Sequence, residues 1–237
     1  MCTLEKRGDF FILTLTGDTK RDQEHRLSPP LIASIRTALA EARSQAVNGS
    51  VLITRSEGKF FSNGFDLRHA QAVGARAGSM VDLFRGVVAD LLSLPMPTVA
   101  AVTGHAAAAG LLLAMSHDYI VMTSSRGVMY MSELDIGMTL PDYFTALVLG
   151  KVGAAADRRD LVLRAMKVGA KAAVRMGIVD SAQDSAEEVE EAAMRAADEM
   201  GKRRWSGEAY AGIRKGLYPE VCELLGLEGS VVLPSKL

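Results

Sequence analysis

The sequence predicts an α/β fold in which a mostly parallel sheet occupies the first part of the chain and helices make up most of the remainder. Short runs rich in β-branched and aromatic residues alternate with amphipathic helical patterns as far as Leu140. Strands separated by helices need crossover connections, which favour parallel pairing. From Pro141 onward the pattern is almost entirely helical. With 237 residues, 49% of them hydrophobic, the chain can bury one large core.

Each predicted element rests on a local pattern bounded by turn residues. The predicted strands are Phe10–Leu15, Val51–Thr54, Thr98–Val102, Tyr119–Thr123 and Val128–Met131. Apolar side chains recur three and four positions apart over residues 31–42 and 80–91, so each range predicts a helix with one apolar stripe. Further helices are predicted at Asp142–Leu149, Ala154–Ala165, Ala170–Met176, Glu187–Arg203 and Gly207–Leu217. We expect a core over residues 1–182 and a C-terminal helical region over residues 183–237.

The charge balance argues against a broad surface for nucleic acid or anionic membranes. Lys and Arg total 27 against 28 for Asp and Glu, which gives a net charge of -1. Between Asp90 and Asp118 the chain has no charged residue at all. Pro95 and Pro97 interrupt the front of this window and polar residues its middle, so it predicts a buried strand and helix rather than a membrane span.

The two ends of the chain bear on its compartment. Cys2 and Cys222 lie far apart, so no disulfide framework or metal cluster is implied and a reducing compartment fits. The last three residues, Ser235, Lys236 and Leu237, match the tripeptide that the peroxisomal import receptor reads. The sequence therefore predicts a soluble peroxisomal protein with that receptor as a partner.

Several common catalytic patterns are absent from the sequence. It contains no G-x-x-x-x-G-K-[ST], G-x-G-x-x-G or G-x-S-x-G motif, and its four histidines lack the spacing of zinc ligands. The consecutive residues Ser116, His117 and Asp118 resemble a catalytic triad, but neighbouring side chains on one element point apart. We expect no metal site.

Two glycine-containing turns are the strongest candidates for a site. Residues 59–67 follow the predicted strand at 51–54, and residues 103–110 follow the strand at 98–102, each where a strand gives way to a helix. Small residues let a ligand approach the backbone, and unpaired N–H groups at helix starts can bind an anion. Two such turns can direct two N–H groups at one oxygen, which is an oxyanion hole. Either turn alone is explained equally well by tight helix-on-sheet packing.

Three motifs in order resemble the enoyl-CoA hydratase/isomerase (crotonase) superfamily. They are F-x-x-G-x-D-L at Phe61–Leu67, A-V-x-G-x-A-x-x-x-G at Ala101–Gly110 and S-E-x-x-I-G at Ser132–Gly137. The stretch ending at Asp180 is also similar to a helix of that family, so the resemblance covers roughly residues 10–182.

The resemblance implies a ββα spiral core, a helical C-terminal trimerisation region and a homotrimer or hexamer that binds a fatty enoyl-CoA. It places the thioester oxygen between the N–H groups of Phe65 and Ala109. The loop around Ser62 and Asn63 would flank the CoA adenine. The implied substrate-binding residues are Ser62, Asn63, Gly64, Asp66, Gly110 and Lys59. Asp66 is also a candidate acceptor for N–H groups of its own loop, and CoA would arrive only as part of the substrate, with no other cofactor.

The carboxylates then indicate the reaction. The resemblance implies that hydratases of the family use two glutamates. The first lies two residues beyond the glycine of the second turn, a position that Leu112 occupies here. Glu133 occupies the second position, and one carboxylate beside an oxyanion hole suffices for the 1,3-proton shift of a Δ3,Δ2-enoyl-CoA isomerase in β-oxidation. The apolar neighbours Met131, Leu134, Ile136 and Met138 are expected to raise the pKa of Glu133.

Alternatives remain open at this point. Glu133 also fits a surface acid in a turn, and Asp135 and Asp142 are fallback bases. The same fold could serve weak hydration, thioester hydrolysis or catalytically silent acyl-CoA binding, since fold does not fix function.

Overall fold

The computed structural model describes residues 1–16, 23–72 and 77–229. The predicted import tripeptide at residues 235–237 therefore lies outside the described residues. Its strands are β1 (Cys2–Arg7), β2 (Phe10–Leu15), β3 (Val51–Ser56), β4 (Phe60–Ser62), β5 (Thr98–Val102), β6 (His105–Ala107), β7 (Tyr119–Thr123), β8 (Val128–Tyr130), β9 (Val168–Gly169) and β10 (Ser181–Gln183). Its helices are α1 (Pro29–Ser44), α2 (Leu67–Ala72), α3 (Ala77–Leu92), α4 (Ala109–Met115), α5 (Asp142–Lys151), α6 (Ala155–Val162), α7 (Ala170–Arg175), α8 (Ala186–Lys202), α9 (Gly207–Leu217) and α10 (Pro219–Leu224). A short 3₁₀ helix spans Leu134–Ile136.

Two sheets organise the described chain. The larger has the order β1-β2-β3-β5-β7-β10, and all its pairs are parallel except β1 with β2. The smaller has the order β4-β6-β8-β9, parallel except for β8 with β9. The predicted mostly parallel α/β arrangement is confirmed. The division at residue 182 stays a prediction.

Helices cover both faces of the larger sheet because its central strands are apolar on both sides. One face packs against α8, with Val51, Ile53, Val99, Ala101 and Val121 meeting Val189, Ala193 and Ala197. The opposite face joins the main core, to which α1 and α3 contribute their apolar stripes. No helix in the described ranges is both long and apolar enough to cross a bilayer.

A buried arginine fastens α9 to the rest of the fold. Arg214 is 2% exposed, and its guanidinium donates to both carboxylate oxygens of Asp118, with Nε–Oδ1 2.6 Å and Nη2–Oδ2 2.5 Å. Further donations reach backbone carbonyls in the loop after α3, among them Leu94 at 2.7 Å and Met96 at 2.6 Å. The ion pair holds the pKa of Asp118 below its usual value, although burial opposes this. Arg214 therefore connects three segments that are distant in sequence.

The consecutive Ser116, His117 and Asp118 side chains form no triad, as the sequence predicts. Ser116 Oγ donates to the Leu112 carbonyl, and Asp118 binds Arg214. His117 is fully enclosed, with Nε2 2.7 Å from the Thr54 hydroxyl and Nδ1 2.9 Å from the Leu113 carbonyl.

Stability is expected to fall as the pH drops below 6.5, because the unfolded state protonates His117 more readily than the folded state does. Burial lowers the pKa of His117 from 6.5 to about 4, so the folded state keeps this imidazole neutral while the unfolded state binds a proton. The contribution of neutral His117 to the free energy of unfolding is therefore fully present above pH 6.5. It declines as the pH falls toward 4, by about 3 kcal/mol in all. Urea unfolding at pH 7 and pH 5 measures the decline, and His117→Gln should flatten it. An equally steep decline in the variant would refute this assignment.

Candidate active site

The first glycine turn leaves the Phe65 N–H without an acceptor among the described residues. Leu27 and Phe65 form an isolated parallel bridge, in which the Leu27 N–H donates to the Gly64 carbonyl at 2.8 Å and the Asp66 N–H donates to the Leu27 carbonyl at 3.4 Å. In such a bridge the residue between the two bonded groups directs its own N–H and C=O to the opposite side. The Phe65 N–H therefore points away from Leu27, and it donates to no protein group within the described residues.

The second turn frees a matching donor at the start of α4. Ala108 precedes the helix with φ 50° and ψ −124°, a conformation that costs a residue with a Cβ about 1–3 kcal/mol. Its N–H donates to the Tyr130 carbonyl at 2.8 Å, and its carbonyl accepts from Leu111 and Leu112. The Ala109 N–H, the first of the helix, has no intrahelical acceptor and no other partner among the described residues.

Backbone contact brings the two turns together. A Cβ built on Gly64 would lie 3.1 Å from the Ala107 carbonyl oxygen and 3.5 Å from the Ala109 nitrogen. A Cβ on Gly110 would lie 2.7 Å from the Ser62 carbonyl carbon. Glycine at both positions is what lets the turns approach, and the approach places the Phe65 and Ala109 donors in neighbouring backbone segments.

Gly110→Ala is expected to force the turns apart. The added methyl would overlap the Ser62 backbone, which cannot move away as a flexible side chain would. We expect a loss of about 1–3 kcal/mol in the free energy of unfolding and a fall in kcat larger than any rise in KM. Gly153→Ala is the matched control, because nothing lies within 4 Å of its added Cβ. Equal behaviour of the two variants in urea unfolding and turnover would contradict the close approach.

Glu133 supplies a buried carboxyl on the chain that follows the second turn. It is 8% exposed, and Oε2 has no hydrogen-bond partner in the described structure. Tyr130, whose carbonyl binds Ala108, precedes it by three residues, a reach of at most about 11 Å. Burial raises the pKa of Glu133 above 4.5, and backbone N–H groups of Ser132 and Glu133 offset this only in part. The result is a carboxyl with a free, desolvated oxygen.

Of the four apolar neighbours expected to surround Glu133, Met131 is buried and Met138 is half-buried, whereas Leu134 and Ile136 are exposed. Leu134 and Ile136 are 58% and 54% exposed, so they do not enclose the carboxyl as expected. The 3₁₀ helix after Glu133 turns both side chains outward, while Met131 enters the core at 1% exposure. The raised pKa of Glu133 itself agrees with the prediction.

The structure also shows the surroundings of the two alternative bases, Asp135 and Asp142, and of Leu112, which stands where a hydratase would have its first acid. Asp135 is exposed. Asp142 is occupied, since its Oδ1 accepts from Arg85 at 2.9 Å and from the Tyr143 N–H at 2.7 Å. Leu112 is completely buried in α4. Of these positions, Glu133 alone combines burial with an unpartnered carboxylate oxygen.

The other predicted binding residues form the walls of the first turn. Ser62 is fully buried and its hydroxyl donates to the His25 carbonyl at 2.8 Å, while the Asn63 N–H donates to the Glu24 carbonyl. Asp66 accepts from the His69 N–H at 3.0 Å, so it is a structural acceptor as expected, but for the first turn of α2 rather than for its own loop. Lys59 is exposed, with its ammonium 5.8 Å from the Phe60 ring centroid. The side chains of Ser62 and Asp66 therefore fix the first glycine turn and the start of α2.

An aromatic cluster beside the first donor was not predicted from the sequence. The Phe65 ring packs edge-on against Phe84 at 5.6 Å and stacks with Phe144 at 6.2 Å between centroids. Phe84 and Phe144 lie on α3 and α5 and are at most 1% exposed. Rings far apart in sequence thus fix the residue that carries the donor, a contact that no local pattern signals.

These features define an α/β protein with a candidate oxyanion site, two adjacent free N–H groups followed along the chain by a buried carboxyl. The chain belongs to the enoyl-CoA hydratase/isomerase family, whose profile matches residues 19–211. The resemblance drawn from the three motifs is confirmed. Within the described ranges, no cluster of three or more potential metal ligands occurs.

Three relatives from Arabidopsis thaliana match along almost the whole chain. Enoyl-CoA delta isomerase 2, peroxisomal, is 56% identical and covers 100% of both chains. Enoyl-CoA delta isomerase 3 is 55% identical over 96% of each chain. Enoyl-CoA delta isomerase 1, peroxisomal, is 52% identical over 93% of this chain and 91% of its own.

Solved structures confirm the predicted crotonase-like fold. An enoyl-CoA hydratase/isomerase family protein from Pseudomonas syringae superposes with a TM-score of 0.81 at 22% identity, covering 95% of both chains. An enoyl-CoA hydratase from Mycobacterium marinum gives 0.80 at 23% identity, covering 95% of this chain and 94% of its own. Because relatives with this fold are named for different reactions, the reaction must be argued from the site.

Proposed function

We propose that this protein is a Δ3,Δ2-enoyl-CoA isomerase that acts in the β-oxidation of unsaturated fatty acids, with Glu133 as its single acid-base residue. The observation that carries the proposal is the buried Glu133 carboxyl with its unpartnered Oε2, combined with leucine at position 112. The predicted enzyme class agrees with the names of the three Arabidopsis thaliana relatives. An active site with one carboxylate can move a proton, but it lacks the second acid that a hydratase uses to direct water.

The proposed reaction uses the two turns as an oxyanion hole. The substrate's thioester oxygen accepts hydrogen bonds from the Phe65 and Ala109 N–H groups. The Glu133 carboxylate removes a proton from C2 of the 3-enoyl-CoA, and the resulting dienolate charge rests on the thioester oxygen. Glu133 then delivers the proton to C4, which leaves the double bond between C2 and C3. Each backbone donor contributes roughly 3 kcal/mol to stabilising the dienolate.

The reaction needs no oxidant or reductant, because one proton moves from C2 to C4 and substrate and product are isomers: C2 is formally oxidised and C4 formally reduced by the same amount. CoA is present as part of the substrate. The Phe65 ring, fixed by Phe84 and Phe144, holds its own N–H in a constant direction. Such preorganisation makes an oxyanion hole effective, since no reorganisation is needed when the charge develops.

A direct assay tests the proposal. Purified protein is incubated with 3-hexenoyl-CoA, and the formation of 2-hexenoyl-CoA and of its hydration product is followed separately. We expect rapid formation of the 2-enoyl-CoA and little 3-hydroxyacyl-CoA. Hydration as fast as isomerisation would contradict the argument from Leu112, and absence of both would favour a silent binding protein.

The place of action is part of the proposal. The C-terminal Ser235, Lys236 and Leu237 support import into peroxisomes through the tripeptide receptor. Two of the relatives carry the word peroxisomal in their names. A fluorescent protein fused to the N-terminus should reach peroxisomes with the full chain and remain in the cytosol when the last three residues are removed. Equal distribution of the two fusions would refute this part.

A homotrimer or hexamer is proposed for the assembly. On α9, Ile213 and Leu217 are 67% and 66% exposed, and Trp205 beside the helix is 41% exposed. Large apolar side chains grouped in this way are typical of surfaces covered by another chain. Light scattering coupled to gel filtration should give three or six times the 25.3 kDa chain mass. A monomer would contradict the proposal.

A further inference from the structure

The Phe65 ring lies between two helices. It packs against Phe84 of α3 and Phe144 of α5, and the rings of Phe84 and Phe144 meet edge to face with their centroids 6.0 Å apart. Close-packed interiors are stiff, so the positions of α3 and α5 determine where the Phe65 ring lies. Because the ring and the N–H donor belong to one residue, a change in the spacing of these helices changes the direction of the donor.

Arg85 joins the same two helices on the outer side of the ring cluster. It follows Phe84 on α3, and successive side chains on a helix point about 100° apart, so its side chain leaves the cluster. Its Nη2 donates to Oδ1 of Asp142, the first residue of α5, at 2.9 Å. The same oxygen accepts from the Tyr143 N–H at 2.7 Å. One carboxylate oxygen therefore links the guanidinium of α3 to the first turn of α5.

Tyr143 makes a second connection between α3 and α5. Its side chain is completely buried, and its hydroxyl donates to the Val81 carbonyl of α3 at 2.8 Å. The Arg85 guanidinium lies 4.7 Å from the Tyr143 ring centroid. Tyr143 immediately precedes Phe144 and packs edge-on against it at 4.9 Å between centroids. We call the contacts of Arg85, Asp142 and Tyr143 the clasp, which thus lies directly beside the ring cluster.

The clasp also reaches the C-terminal helices. Arg85 Nη1 donates to the carbonyl of Leu224, the last residue of α10, at 2.7 Å. The last carbonyls of a helix have no intrahelical partner, and a cation is favoured at that end. The guanidinium is a planar, rigid fork, so its contacts with Asp142, Leu224 and the Tyr143 ring define one arrangement. Arg85 therefore fixes α3 against the start of α5 and the end of α10.

We propose that Arg85 is a positioning residue for the isomerisation: through the clasp it sets the spacing of α3 and α5, and so the direction of the Phe65 N–H at the thioester oxygen. This inference rests on the proposed function. The Arg85 and Asp142 side chains are 33% and 52% exposed, and an ion pair this exposed adds little to stability. Loss of Arg85 should therefore change turnover far more than the free energy of unfolding, which a merely structural role would not do.

Steady-state kinetics of Arg85→Met with 3-hexenoyl-CoA tests the positioning role. We expect kcat to fall about tenfold while KM changes by less than about twofold, because a donor that is turned away stabilises the dienolate less. The pH at which kcat/KM falls should stay that of the wild type, since Glu133 is untouched. Arg36→Met is the matched control, because Arg36 pairs with Asp90 at 2.8 Å and joins α3 to α1 instead of to α5. Its kinetics should equal those of the wild type.

A second measurement detects the oxyanion contact without turnover. Hexanoyl-CoA labelled with ¹³C at the thioester carbonyl has no double bond to move, and the infrared frequency of its carbonyl falls as hydrogen bonds to the oxygen strengthen. We expect the wild type to lower this frequency relative to water, Arg85→Met to lower it less, and Arg36→Met to match the wild type. Tyr143→Phe removes only the hydroxyl that binds Val81, so it keeps the test open if Arg85→Met does not fold. Its frequency should lie between those of the wild type and Arg85→Met.

The outcomes separate this inference from the proposed function. Wild-type kcat and carbonyl frequency in Arg85→Met, or an equal fall of kcat in Arg36→Met, would overturn the inference. A carbonyl frequency that the wild type leaves as it is in water would also overturn it, because there would be no oxyanion contact to position. If the wild type lowers the frequency and Arg85→Met lowers it less, but 3-hexenoyl-CoA is not isomerised, the proposed function fails and the positioning role stands.

Discussion

Replacing Glu133 with glutamine is expected to lower kcat for 3-hexenoyl-CoA isomerisation by about 10³-fold with little change in KM. The amide keeps the size of the side chain but cannot accept the C2 proton, and loss of an acid-base group typically costs 10²–10⁴-fold. The buried position should tolerate the substitution, because Oε2 has no partner to lose. Steady-state kinetics at pH 8 measures the effect.

Asp135→Asn is the matched control, since this acid lies two residues away and is exposed. Its kcat should equal that of the wild type. In the wild type, kcat/KM should fall as the pH drops through the pKa of Glu133, which burial raises above 4.5, because only the ionised carboxylate removes a proton. Glu133→Gln activity close to that of the wild type would show that another group is the base.

Arg214→Met is expected to lower the free energy of unfolding by about 3–5 kcal/mol, the largest stability effect that we anticipate. Removing the guanidinium leaves the Asp118 carboxylate buried without its partner, and it also removes donors from the Leu94 and Met96 carbonyls. Urea unfolding measures the change. Arg195→Met is the control, because its ion pair with Glu191 at 3.6 Å is exposed and its loss should cost under about 1 kcal/mol. Equal losses in the two variants would contradict the role of Arg214.

The elements whose ends were predicted correctly are those in which a single local sequence pattern determines both the type of the element and its ends. Thr98–Val102 and Tyr119–Thr123 are continuous apolar runs closed by turn residues, and Gly207–Leu217 has a serine cap and helical spacing. The predicted helix at 154–165 instead covers Ala155–Val162, and the chain turns at Ala165, which has φ 47°. In the smaller sheet only β8 was predicted, as Val128–Met131, and it covers Val128–Tyr130. The other three strands of that sheet have two or three residues each, too few for a period to be visible. Their existence depends on pairing across distant segments.

In the candidate site, too, the features that depend on contacts between distant segments could not be predicted from the sequence. The glycine turns were recognisable because close backbone approach demands glycine, as Gly64 and Gly110 illustrate. The ring cluster around Phe65 and the clamp formed by Arg214 join residues from separate helices, so no local pattern indicates them. Burial of Glu133 was expected for a partly wrong reason, since Leu134 and Ile136 turn outward. Tertiary packing supplies what spacing along the chain cannot.

The central claim, that one buried carboxyl carries the proton from C2 to C4, is tested most directly with 3-hexenoyl-CoA that holds two deuterium atoms at C2. The reaction is run in ordinary water, and the 2-enoyl-CoA product is examined early by mass spectrometry and NMR. Because Glu133 is 8% exposed, we predict that much of the product keeps both deuterium atoms, one at C2 and the other at C4. Product that holds a single deuterium throughout, with only solvent hydrogen delivered to C4, would contradict a shielded single-residue transfer.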